Sequence, residues 1–398
     1  MSMFSTVQPA PSDPILGLTE RFIADPRPDK VNLGVGVYQD ENGSLPLLRC
    51  VDAAEQTLAG QHRPKGYLPI DGLPDYTREV KELVFGPGSP AVMDDRVVTA
   101  QALGGTGALR IGADFLHQLS PEATVLVSTP SWENHRALFT RAGFTVRGYR
   151  YYDPEAHGID VDGMLADLAA APAGTIVVLH ACCHNPTGYD LTADQWDRVI
   201  DVVVAGGLVP FIDMAYQGFS QGLEEDAAVI RAFAARTDSF LCSSSFSKSF
   251  GLYGERVGAL SIVCADADEA ARVRSQVKVV IRTNYSSPST HGALLVSTVL
   301  GDPQLRLAWT QELAGMRDRI KQMRGALVQG LAGAGVPDDM SFITDQVGMF
   351  SYSGLDARQM ARLREEFGVY GTDAGRICVA ALNPSNVDRV ARSIAAVV

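Results

Sequence analysis

Between residues 96 and 265 the chain repeats one pattern: a short apolar run, a polar or glycine-rich turn, then a stretch of helical periodicity. RVVTAQALGGTGALRIGADFLHQL (96–119), TVLVSTPSWENHRALFTRAG (124–143) and TIVVLHACCHNPTG with LTADQWDRVIDVVVAGG (175–207) are three instances. LVPFIDMAYQGF (208–219), SFLCSSSFSKSFGL (239–252) and RVGALSIVCA (256–265) supply further apolar runs. Runs of strand length alternating with helical stretches predict an α/β fold with a mostly parallel central sheet flanked by helices. In such sheets ligands bind beyond the strand ends, so the residues at those ends are the first candidates for chemistry.

Three ends stand out. Lys248 sits in SSSFSKSFGLYGER (243–256), among serines, phenylalanines and glycines, where a solvated surface lysine is out of place. Asp213 ends the apolar part of VPFIDMAYQGF, and Asn185 lies in the HNPTG turn. A fourth strand runs into Gly104-Gly105-Thr106-Gly107 and a helix begins at once. Small residues there leave first-turn N–H groups open, and the helix dipole favours an anion. The turn is not a Walker A loop, because GxxxxGK[ST] is absent. Gly34 and Gly36 form a GxG, but position 39 is Gln, so the dinucleotide fingerprint fails. Each feature alone has a plain structural reading as a cap or turn. Their order and context together carry the signal.

With 398 residues, 46% of them hydrophobic, the chain is long enough for a large core and two domains. A net charge of -12 argues against a nucleic-acid partner. Cys50, Cys182, Cys183, Cys242, Cys264 and Cys378 form no CxxC pair and are expected as buried free thiols. Cys182-Cys183-His184 suggests a metal, but adjacent strand residues point to opposite faces, which disfavours one. No basic leader or long apolar run is present, so a cytoplasmic protein with no membrane span is expected.

A lysine amine forms a Schiff base with an aldehyde, and pyridoxal phosphate is the commonest aldehyde cofactor. It needs a lysine, a carboxylate at the ring nitrogen, an anion cup and a donor to its phenolic oxygen. Lys248, Asp213, the GGTG turn with Ser245 and Arg256, and Asn185 with Tyr216 meet those four needs. Trp132 offers an aromatic face for the ring.

At this point the chain resembles the class I aminotransferases of fold type I, in the aspartate and aromatic amino acid subgroup. NLGVGVY, GYLPIDG, GGTGALR, PSWENH, HNPTG, DMAYQGF, SFSKSFGLYGERVG, NYSSP, GMFSYSGL and LREEFGVY look like subgroup motifs in the expected order, and they span nearly the whole chain. The resemblance implies a ping-pong Schiff-base transamination in which Lys248 holds the cofactor and then moves the proton. It implies that Asp213 pairs with the pyridine nitrogen, supported by His135, and that Asn185 and Tyr216 hold the phenolic oxygen. Gly105, Thr106, Ser245 and Arg256 would bind the phosphate, with Tyr67 from a partner subunit. Arg376 would pair with the substrate α-carboxylate, Arg282 of the other subunit with an ω-carboxylate, Gly36 would contribute backbone and Phe350 a wall. A homodimer with composite sites follows.

The resemblance also implies an N-terminal arm at 1–14, a smaller α+β domain from 15–45 and 310–398, and a larger cofactor domain at 46–309. Leu45 and Ser287 look like the aromatic-accepting branch, whereas Thr106 and Val37 look like the aspartate branch, and Gln39 fits neither. The expected donors are aromatic L-amino acids, with aspartate and glutamate also accepted and 2-oxoglutarate as acceptor. The alternatives are an aspartate-preferring enzyme, a specialised-pathway transaminase, another reaction of the same cofactor, or a binding protein on a catalytically dead fold.

Overall fold

The computed structural model describes residues 2–9 and 16–398. Residues 1 and 10–14 of the expected N-terminal arm lie outside the described residues. The chain divides into two units. The larger comprises Leu45–Lys321 and Asp345–Gly348, and the smaller comprises Met1–Ser44, Gln322–Thr344 and Met349–Val398.

The larger unit is built on seven strands: β1 (Val97–Leu103), β2 (Thr124–Thr129), β3 (Thr145–Arg150), β4 (Ile176–His180), β5 (Val209–Met214), β6 (Phe240–Ser245) and β7 (Val257–Val263). Their order across the sheet is β1-β7-β6-β5-β4-β2-β3. β7 runs antiparallel to both neighbours, and every other pair is parallel. All residues of β6 and β7 are buried, as expected for strands covered on both faces. The core beneath the site is aromatic and aliphatic; Phe139 meets Phe211 edge to face at 5.7 Å, next to Ile111 and Val178.

Register decides what the sheet presents. His180 of β4 lies opposite Asp213 of β5, and Asp213 lies opposite Ser243 of β6. Gly258 of β7 lies opposite Ser245. The ends of four neighbouring strands therefore bring their polar residues to one edge.

By sequence, residues 31–48 have strand character around an ENGS turn at 41–44, yet only Val31–Asn32 form a strand, paired with Val369–Tyr370. Asn32 Oδ1 accepts from the Gly34 N–H, and Asp40 Oδ1 accepts from the Asn42 and Ser44 N–H groups. These local turns take the donors that a ladder would need. The division between the two units falls between Lys321 and Gln322, inside the helix Pro303–Gly333. The first half of that helix belongs to the larger unit, where Trp309 Nε1 donates to Ser249 O at 2.7 Å and its ring stacks on Phe250. The second half carries Arg324, which donates to Ser351 Oγ at 2.7 Å within the smaller unit.

Two glycines give opposite expectations. A Cβ on Gly258 would stand 2.4 Å from Gly104 C and 2.7 Å from Ser244 O, both backbone atoms. Gly258→Ala is expected to cost about 1–3 kcal/mol. Gly315 lies within the long helix with nothing within 4 Å of a Cβ, so Gly315→Ala is expected to gain up to about 1 kcal/mol. Shifts of the urea midpoint in opposite directions would bear this out, and equal midpoints would refute it.

Candidate active site

Asp213 is a buried acid of the larger unit, 6% exposed at the end of β5. Ser243 Oγ–H donates to its Oδ1 at 2.6 Å. His135 Nε2 lies 2.9 Å from Oδ2; a carboxylate only accepts, so Nε2–H donates. Burial by itself pushes the carboxyl up. The His135 bond and charge and the Ser243 hydroxyl outweigh it and hold Asp213 below the usual carboxylate range.

His135 is fully buried, and its ring continues into a chain of polar groups. Its Nδ1 is 3.0 Å from Ser131 Oγ, which is 3.2 Å from His180 Nε2. The His180 and His184 ring centroids are 4.2 Å apart. His184 bonds Ser128 Oγ through Nε2 at 2.9 Å and Thr187 Oγ through Nδ1 at 2.8 Å, and it stacks on Tyr151 at 4.0 Å. Burial, then the neighbouring His135, pushes His180 down to about 3. Burial and the adjacent His180 push His184 well below the ordinary histidine value. Neutral His180 and His184 thus stand behind the His135–Asp213 pair. Sequence reasoning missed Ser131, His180, Ser243 and the bonding of His184. The histidines flanking Cys182-Cys183 were visible, but only the strand register shows His180 beside Asp213.

Lys248 lies in the turn after β6, with Nζ 4.8 Å from the centroid of the buried Tyr216 ring. Nearby begins the helix Gly104–Leu119, whose N-cap residue Leu103 offers its first turn no side-chain bond. Gly104 has φ +70°, and a Cβ there would stand 2.6 Å from Arg256 Nη2. A Cβ on Gly105 would stand 3.2 Å from Ser245 Cβ. The Gly104 N–H donates to Arg256 O at 2.9 Å, and Arg256 Nη1 donates to Tyr253 O at 2.8 Å and Ser247 Oγ at 3.4 Å. Glycine at both positions lets backbone, serines and guanidinium converge, with Thr106 in the first helical turn. Open N–H groups, a helix dipole and a guanidinium suit a phosphate. Trp132 meets His135 edge to face at 5.2 Å, and Asn185 is 5% exposed.

The smaller unit has its own constellation. Arg376, 2% exposed, lies with its guanidinium 4.3 Å over the Phe350 ring and donates from Nη2 to Gly34 O at 2.8 Å. A Cβ on Gly36 would stand 2.5 Å from Phe350 Cζ, so the backbone there lies against the ring. Tyr67 is 97% exposed, and Arg282 is exposed in the last turn of the helix Ala267–Asn284, bonded through Nη1 to Ser286 Oγ. The argument that Cys182 and Cys183 point to opposite strand faces does not hold. Both lie past the end of β4, Cys183 at φ +50°, and their sulfurs and an Asp226 oxygen lie within 4.8 Å of one another.

The neutral histidines predict an acid-sensitive fold. His180 stays unprotonated in the folded chain down to about 3, whereas its ordinary value is 6.5. Between these values the unfolded chain binds more protons, so stability falls as pH falls, by up to about 1.4 kcal/mol per unit. His180→Gln is expected to lose less melting temperature between pH 7 and pH 4.5 than the unsubstituted protein does; an equal loss would refute the assignment.

The chain matches the family described as aminotransferase class I and II over residues 28–394. It is 61% identical over 394 residues to an aspartate aminotransferase of Pseudomonas aeruginosa, covering 99% of each chain. It is 51% identical to the aromatic-amino-acid aminotransferase of Escherichia coli, covering 99% of this chain and 100% of the relative. The crystal structure of an aromatic-amino-acid aminotransferase from Burkholderia pseudomallei, covalently bound to pyridoxal phosphate, superposes with a TM-score of 0.98 at 61% identity, with 100% of both chains covered. No helix among the described residues is long and apolar enough to cross a membrane. By this match and these identities, over a chain with a mostly parallel sheet, the chain belongs to the class I and II aminotransferases.

Proposed function

We propose that this aminotransferase uses pyridoxal 5'-phosphate to exchange an amino group between an aromatic L-amino acid and 2-oxoglutarate, accepting aspartate and glutamate as well. The observation that carries the reading is the larger unit's own chemistry: Lys248 beside Tyr216, a buried Asp213 held ionised, and a glycine cup closed by Arg256. These residues fit the cofactor, since a side chain at Gly104 or Gly105 would fill the cup. When bound, the cofactor supplies an aldehyde that condenses with amines and a ring that withdraws electrons from the substrate Cα.

In this reading Lys248 Nζ would hold the cofactor and would move the proton at the substrate Cα. Asp213, kept anionic by His135 and Ser243, holds a proton at the ring nitrogen. Asn185 and Tyr216 bind the phenolic oxygen, and Gly105, Thr106, Ser245 and Arg256 bind the phosphate. Trp132 covers the ring face. Arg376 takes the substrate α-carboxylate as a bidentate pair, with Phe350 and the Gly36 backbone beside it. A second copy of the chain supplies Tyr67 and Arg282, the latter to an ω-carboxylate, so the working enzyme is a homodimer.

Leu45 and Ser287 support the aromatic preference. A second reading, aspartate preference, is favoured by Thr106 and Val37 and by the name of the Pseudomonas relative. Comparing kcat/KM for phenylalanine, tyrosine, tryptophan and aspartate with 2-oxoglutarate separates them. Aromatic values equal to or above that of aspartate are expected, and a hundredfold preference for aspartate would overturn the assignment. Lys248→Ala is expected to lower kcat by at least about 10²–10⁴-fold; near-normal turnover would remove Lys248 from the chemistry.

A further inference from the structure

The larger unit contains a second cleft, of about 340 Å³, whose lining includes Cys182, Asp190, Leu191, Trp196, Asp226 and Val229. Two of its walls hold the loops that carry Asn185 and Tyr216. Asp190 Oδ2 accepts from the Cys183 N–H at 2.7 Å and Oδ1 from the His184 N–H at 2.9 Å, just before Asn185. Asp226 accepts from the N–H groups of Gly218, Ser220, Gln221 and Gly222, just after Tyr216. Ser220 Oγ–H donates to Asp190 at 3.1 Å and links the two.

The charge of this cleft is one-sided. Asp190, Asp197, Glu225 and Asp226 line it, and no lysine, arginine or histidine does so among the described residues. Arg236 pairs with Asp197 at 3.1 Å. The other three acids have no such partner in the lining. Asp226, which is buried, and Asp190, which is half-buried, are held by N–H and O–H groups instead, and loss of water around them pushes Asp190 up to about 6 and Asp226 above the usual carboxylate range. Around the acids stand the Trp196 indole and the aliphatic Leu191 and Val229.

These facts select among ligands. An anion meets only carboxylates. A neutral apolar molecule would strip water from the acids without returning charge. A compact metal ion needs free lone pairs, but both Asp226 oxygens already accept two N–H bonds each, and the bond to Cys183, with burial, pushes the Cys182 thiol well above its ordinary value. A diffuse organic cation needs no vacant coordination site. It is attracted by the carboxylates through space and by an indole face, and its carbon body matches the aliphatic walls. The volume lies within the range of small-molecule sites, and few polar groups among apolar walls is their usual make-up.

We propose that this cleft binds an organic monocation with an apolar body, of the alkylammonium or guanidinium class, against Trp196, Glu225, Asp190 and Asp226. Nothing in the transamination reading requires it, so the two stand or fall separately.

The probe is benzyltrimethylammonium, which has no N–H and cannot condense with an aldehyde, so it does not enter the Lys248 chemistry. Calorimetric titration of the holoenzyme is expected to give saturable binding of one probe per chain, undisturbed by an amino acid substrate. Trp196→Leu is expected to weaken it about tenfold and Glu225→Gln about threefold, with transamination unchanged in both. Glu225 is exposed at the rim, so its variant keeps the test open even where the tryptophan variant unfolds. Neopentylbenzene, the neutral carbon counterpart of the probe, is expected not to bind. Absence of saturation at tens of millimolar probe, affinity equal in both variants, equal binding of the neutral counterpart, or displacement by the amino acid substrate would each overturn the proposal.

Discussion

The site depends on keeping one carboxylate ionised inside a protein core. A buried acid ordinarily takes up a proton, and a neutral Asp213 would have no charge to hold a proton on a partner nitrogen. His135 and Ser243 supply two directed bonds that reverse this tendency. Both are buried, which explains the polar groups around them: the buried Ser128 and His184 bond one another, and the half-buried Ser131 bridges His135 and His180. Breaking any link leaves an unmet polar group in a low-dielectric interior, which costs more than the bond itself contributed.

The proposed phosphate cup solves a different problem, which is room. The first-turn N–H groups, Ser245 and Arg256 can converge on an anion only if nothing else occupies the space. Gly104 faces a guanidinium, and Gly258 faces the Gly104 carbonyl and the Ser244 oxygen, so there three chain segments touch through backbone atoms. Small residues there do not merely permit a turn; they let charge from Arg256 approach the helix start.

Much of this was legible in the sequence. The alternation of apolar runs and helical stretches gave the parallel sheet, because periodicity reports burial. Lys248, Asp213, Asn185 and the glycine turn were conspicuous because each is a residue type that its apolar surroundings do not explain. The supporting shell was less legible. Ser131 and Ser243 are ordinary in composition, and His180 gains meaning only when β4 and β5 are aligned. The loop at 33–48 misled because apolar residues between glycines look like a strand until Asn32 and Asp40 redirect their hydrogen bonds. The unit boundary was invisible because it falls inside an unbroken helix, where no proline, glycine cluster or change of composition marks it.

The row formed by His180, Asp213 and Ser243 runs across three adjacent parallel strands in matched register. Side chains alternate between sheet faces, so losing or gaining one residue within β5 would carry Asp213 to the opposite face from its partners while leaving the composition almost unchanged. Length change is therefore confined to the connections between strands. In this chain the sheet acts as a ruler: the distance between catalytic groups is counted in residues along each strand, and the loops are where the count is free to vary.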